Sequence, residues 1–101
     1  MPVVCTQENR SLTALLTGEL DHHAAREVMA ALERQIDAVL PLHLTLDLAG
    51  LTFTDSSGIA VLLRTLRHME HLGGTMRVIH TPPQAEKVFR AAALQRLITF
   101  E

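Results

Sequence analysis

Pro41 divides this chain at the point where a helical pattern stops and a strand pattern begins. Before it, Val28, Leu32, Ile36 and Val39 recur every three or four positions, and Met29 and Leu40 widen that apolar stripe. Glu27, Glu33, Arg34 and Asp37 fall away from it. After it, Leu42 to Leu48 alternates around Thr45 and Asp47, which is the period of a strand. The residue before a proline is pushed out of the α region, so the helix is expected to end there. Strands joined through a helix are usually parallel neighbours with a right-handed crossover. One proline therefore commits the middle of the chain to a layered α/β arrangement.

The flanking segments extend that pattern. Val3 to Gln7 and Leu12 to Thr17 are β-prone and separated by the polar run Glu8-Asn9-Arg10-Ser11, so a hairpin is expected. Gly18-Glu19-Leu20-Asp21 leads into the first helix. A second helix is expected from about Ser56 to His71, with Ile59, Leu62, Leu63 and Leu66 on its apolar side. Gly73-Gly74 stops it, because glycine takes the left-handed C-terminal conformation without a Cβ penalty. Arg77 to His80 reads as a short strand. Thr81 is expected to cap a third helix, with Pro82 at its first position and Val88, Phe89 and Ala92 on its apolar side. Leu94 to Phe100 is apolar but too short to class. The order is β-β-α-β-α-β-α, a single α/β domain over residues 1–101 with a mixed sheet covered by helices.

Composition narrows the function. The chain has 101 residues, of which 48% are hydrophobic, so one ordered core is expected and disorder is not. Nine basic residues face eleven acidic ones, which argues against a direct nucleic-acid binder. Cys5 is the only cysteine, so no internal disulfide forms, and a reducing compartment fits. No basic-then-apolar leader and no apolar run of about 20 residues is visible, so a cytoplasmic protein without membrane insertion is expected.

Asp55-Ser56-Ser57-Gly58 carries the most chemical information. It lies at a strand-to-helix junction, where Asp55 or Ser56 is a good N-cap. Ser57 then falls in the first turn, where its hydroxyl can point outward. Gly58 is expected to let another backbone approach Ser57. Asp21 lies beyond the preceding strand and can cap the first helix, contact a partner, or do both. If the two strands are neighbours, both turns emerge at one edge of the sheet, where α/β folds place their sites. Helix N-termini gather there too, with free N–H groups and a positive dipole end.

Two segments together resemble a known family. Gly18-Glu19-Leu20-Asp21-His22-His23-Ala24-Ala25 and Phe53-Thr54-Asp55-Ser56-Ser57-Gly58-Ile59 are similar to anti-sigma-factor antagonists of the STAS domain family, closest to the sporulation type. Leu72-Gly73-Gly74 before a strand fits the same pattern. The resemblance covers essentially the whole chain. It implies a mostly parallel, four- to five-stranded mixed sheet with helices mainly on one face. It implies that Ser57 is phosphorylated by a partner anti-sigma factor, itself a serine kinase. It further implies that the unphosphorylated form binds that kinase and displaces a sigma factor, and that a metal-dependent serine phosphatase reverses the modification. Asp21, with Asp55, Ser56 and Gly58, then belongs to the partner-binding surface. Ala24 stands where close relatives often carry threonine.

Other readings compete. A STAS adaptor subunit of a transporter ATPase or stress-signalling complex keeps the fold and changes the partner, but many such adaptors lack the intact serine motif. A serine hydrolase would use Ser57 with His22, His23 or His80. The nucleophile-elbow pattern is absent, since Asp55 occupies its first glycine position. His68 and His71 could share a helix face, yet zinc needs three or four ligands. The expectation is a non-enzyme with no cofactor and no metal.

Overall fold

The computed structural model describes residues 1–101. The elements are β1 (Val3–Glu8), β2 (Ser11–Leu20), α1 (His22–Val39), β3 (His43–Thr54), α2 (Ser56–His71), β4 (Thr75–Ile79), α3 (Pro83–Ala91) and β5 (Thr99–Phe100). A 3₁₀ turn over Leu94–Arg96 joins α3 to β5. The five strands lie in the order β1-β2-β3-β4-β5, with β1 antiparallel to β2 and every other pair parallel. The short apolar tail thus supplies the fifth strand, with Val78 opposite Phe100.

Alternation along the strands creates the core. Leu12, Ala14 and Leu16 of β2 are buried, as are Leu44, Leu46 and Leu48 of β3 and Met76 and Val78 of β4. Val28, Leu32 and Ile36 of α1, Val61, Leu62 and Met69 of α2, and Ala85 and Phe89 of α3 join them in one cluster. The helices therefore share one face of the sheet. On the opposite face Arg77 Nε donates to Thr45 Oγ1 at 2.9 Å.

Several boundaries differ from the sequence reading. The first helix ends at Val39, and Leu40 turns left-handed (φ 50°, ψ 57°) while its N–H still donates to Ile36 O at 2.7 Å. Pro41 excludes the α region at Leu40 but does not select the extended one. β2 and β3 run well beyond Thr17 and Leu48, to a last register pair of Leu20 and Thr54. Irregularities at Leu15/Thr17 and Gly18/Glu19 keep the pair aligned through the glycine-containing ends.

Thr81 does not cap α3. The N-cap is Pro82, with φ −64° and ψ 155° and no side-chain cap bond. Pro83 forces Pro82 out of the α region, so the helix starts one residue later than expected.

Candidate functional site

Asp21 and Asp55 meet at the C-terminal edge of the parallel strands. Leu20 and Thr54 end adjacent strands in register, and Asp55 N–H donates to Leu20 O at 3.4 Å. Each aspartate then starts a helix. Asp21 Oδ1 accepts from Ala24 N at 2.9 Å and caps α1. Asp55 Oδ1 accepts from Ser57 N at 2.7 Å and caps α2. Both caps satisfy N–H groups that have no partner within their helices. Of the two residues proposed to cap α2, Asp55 does so, and Ser56 is the first helical residue.

Asp55 also reaches across to α1. Its Oδ2 accepts from the His22 backbone N–H at 3.3 Å. One carboxylate therefore touches the first turns of both helices. The Ser57 amide holds the Asp55 carboxyl below the usual carboxylate range, with smaller help from the Ser57 hydroxyl and His22. Asp55 is thus a fixed negative charge beside Ser57.

Ser56 is exposed, Ser57 half-buried and Gly58 buried. The position of Gly58 gives its missing side chain an internal use. A Cβ there would overlap Thr54 Oγ1 and lie 3.5 Å from Leu20 Cδ2. The role expected from sequence, room for a partner at Ser57, is not what this packing requires. Gly58 lets α2 seat against the ends of β2 and β3.

Sequence reasoning missed two supporting residues. Thr54 Oγ1 contacts Leu20 O at 3.1 Å and Asp55 O at 3.0 Å, bonding the two strand ends at the turn. Gln84 of α3 receives the Thr54 N–H on Oε1 at 3.0 Å and donates from Nε2 to Thr54 O at 2.8 Å. Its amide imitates one residue of a neighbouring strand. The cue in sequence was a lone glutamine after Pro82-Pro83, which carries no recognisable spacing.

No histidine ring is hydrogen-bonded to Ser57; the ring nitrogens that are bonded go to Thr75, Asp37 and Asp47. The His22 and His23 rings pack edge to face with centroids 4.6 Å apart. The His80 ring lies 2.9 Å from Asp47 Oδ1, and His68 lies 2.8 Å from Asp37 Oδ1 between α1 and α2. No group of three His, Cys, Asp or Glu side chains converges to form a cation site. What the edge offers is a serine hydroxyl, two helix N-termini and two capping carboxylates. That arrangement can accept a modification and present a charge to a partner.

Residues 4–101 match the STAS domain family. The chain belongs to that family. The anti-sigma F factor antagonist of Lysinibacillus sphaericus is 34% identical over 79 residues, which span 78% of this chain and 68% of that protein. The solved anti-sigma factor antagonist SpoIIAA in its unphosphorylated form has 25% identity and a TM-score of 0.83, over 99% of this chain and 88% of that one. The phosphorylated form of the Bacillus cell fate determinant SpoIIAA gives a TM-score of 0.75 at 25% identity, over 99% and 91% of the respective chains. This STAS domain has the same kind of mixed sheet and helical layer as those structures. No helix of it is long and apolar enough to cross a membrane.

Proposed function

We propose that this chain is an anti-sigma-factor antagonist whose partner binding is switched by phosphorylation of Ser57. In the unphosphorylated state it binds an anti-sigma factor that is a serine kinase, and a sigma factor is released. Phosphate on Ser57 ends that binding, and a metal-dependent serine phosphatase restores it. The domain acts in the cytoplasm as a binding module and supplies no catalytic group of its own.

The observation that carries this reading is that Ser57 lies in the first turn of α2, with its amide held by the Asp55 carboxylate that also accepts from the first residue of the Asp21-capped α1. A phosphate there brings about −1.5 to −2 charges at pH 7. The helix N-terminus tolerates that charge, so the fold survives. The surface changes more, because the phosphate joins Asp21 and Asp55 in one negative cluster. A partner fitted to a neutral hydroxyl then meets repulsion and a desolvation cost. Relatives named anti-sigma F factor antagonists, and a similar structure solved with and without phosphate, support the same reading.

The test is phosphate transfer from ATP by the anti-sigma kinase to wild type, Ser56→Ala and Ser57→Ala. Wild type and Ser56→Ala take up one phosphate. Ser57→Ala takes up none and stays bound to the kinase. Equal uptake by Ser57→Ala would overturn the assignment.

A further inference from the structure

β1 is an open edge of the sheet. It pairs with β2 alone, in an unbroken register from Val3 opposite Leu16 to Glu8 opposite Ser11. Thr17 N–H donates to Pro2 O. By the alternation of an antiparallel ladder, Val4, Thr6 and Glu8 also bond to β2, and Val3, Cys5 and Gln7 turn their N–H and C=O groups outward. Folded proteins guard such an edge with proline, a charge, a bulge or a very short strand. β5, the other edge, is guarded by its length of two residues. β1 has six residues, no proline and no bulge, and its one charge, Glu8, stands at the hairpin end. Val4 in addition holds an apolar side chain 55% exposed at this edge.

The helix above β1 matches the edge. α1 contacts β1, β2 and α2, and α2 contacts β3 and β4. Each of these two helices thus covers two strands, a width of about 10 Å. Packed helices lie about 8–10 Å apart, so a sheet continued across β1 repeats the spacing and sets another α1 beside the first. α1 turns Glu33 and Asp37 toward α2, where they pair with Arg64 and His68. Its opposite flank carries Ala24, Ala31 and Ala38 at every seventh position, which permits close approach. Glu27 and Arg34 border that flank. They are exposed, opposite in charge and without an ion pair in the chain.

We propose that β1 pairs antiparallel with β1 of a second copy of this chain, about a two-fold axis at Val4, so that two sheets become one. The outward groups of Val3 and Cys5 then bond to those of Cys5 and Val3 of the second copy. Val4 meets its own symmetry mate, and Thr6 faces Pro2, so no like charges meet along the strands. β1 and α1 run in the same direction, so the two α1 helices also cross the axis antiparallel. Ala24 of one stands opposite Ala38 of the other, and Glu27 of one lies beside Arg34 of the other, twice by symmetry. The two Ser57 turns point to opposite ends of the joined sheet. This inference is independent of the reading of Ser57.

The experiment is sedimentation equilibrium of the full chain over a wide concentration range. The wild-type mass rises toward twice the 11.1 kDa of the chain. Val4→Lys sets two ammonium groups against each other at the axis and stays at the mass of one chain, with its Tm unchanged because Val4 is exposed in the single copy. Glu27→Arg weakens the dimer, and Glu27→Arg combined with Arg34→Glu restores it. Cross-linking reads the register. At a non-hydrogen-bonded position, paired Cα atoms lie about 4.5 Å apart, within reach of a disulfide. In a Cys5→Ser background, Val4→Cys therefore oxidises to a covalent dimer several-fold faster than the equally exposed Thr6→Cys. A wild type that stays at one chain mass at every concentration, a Val4→Lys dimer as tight as wild type, or equal oxidation of the two cysteine variants would each overturn the proposal.

Discussion

The Asp55 carboxylate accepts the backbone N–H of His22 at 3.3 Å while capping its own helix through Ser57 at 2.7 Å. α1 and α2 are thereby joined at the point where the modification is proposed to act. Asparagine at position 55 retains a cap oxygen but loses the charge, and alanine loses both. Asp55→Ala is expected to lower the Tm by a few degrees, with Asp55→Asn falling in between.

The same contact predicts a pH dependence. The folded-state pKa of Asp55 is lowered, first by the Ser57 amide. The unfolded chain therefore binds the proton more tightly, and stability rises with pH through this window. The contribution is complete above the unfolded-state value, near about pH 4, and is lost as pH falls through the lower folded-state value. Asp47 adds in the same direction. Burial pushes its pKa up, but the Ala49 amide and His80 together hold it below the ordinary value. Urea unfolding between pH 2 and pH 6 should show a shallower acid limb for Asp55→Asn than for wild type. An identical slope would remove Asp55 from the account.

The edge that carries Asp21 and Asp55 was legible because local and global cues agreed there. Asp21 and Asp55 are good caps by residue type alone, and strand order put their turns side by side. The core was legible for the same reason, through 3.6-residue and two-residue periods. The ends of β2 and β3 were not, because the strand pattern is legible only to Thr17 and Leu48, while pairing carries both strands on to Leu20 and Thr54. β5 has only two residues, and its identity comes from pairing to β4. Gly58 reads as room for a partner's backbone at Ser57, because glycine has no side chain. Its contact with Thr54 is tertiary and has no periodic signature.

Gly58→Ala tests that contact. The new methyl must displace Thr54 Oγ1, which is tied to Leu20 O and Asp55 O. Overpacking of this kind costs about 1–3 kcal/mol. Thr54→Ala opens the space at the expense of those two contacts. The double variant should therefore be more stable than the sum of the single losses predicts, as measured by urea denaturation. Strict additivity would place the strain elsewhere.

Asp21 separates capping from partner contact. Asp21→Asn keeps an oxygen for the Ala24 N–H, so the Tm should change little. If the carboxylate charge also faces the anti-sigma factor, binding of the unphosphorylated form weakens and loses part of its salt dependence. Isothermal titration at two salt concentrations reads both effects. Unchanged affinity together with an unchanged salt slope would confine Asp21 to capping.

Gln84 ties α3 to the turn that carries Ser57. Its amide satisfies both the N–H and the C=O of Thr54, at 3.0 and 2.8 Å. Gln84→Ala strands two part-buried backbone groups, at a cost of about 1–3 kcal/mol. Gln84→Glu keeps the acceptor for Thr54 N–H but sets a carboxylate against Thr54 O, so it should recover only part of the loss. Hydrogen exchange at the Thr54 amide is the direct readout. The amide should exchange faster in Gln84→Ala and stay close to wild type in Gln84→Glu. Equal protection in all three proteins would mean that β3 keeps its end ordered without α3.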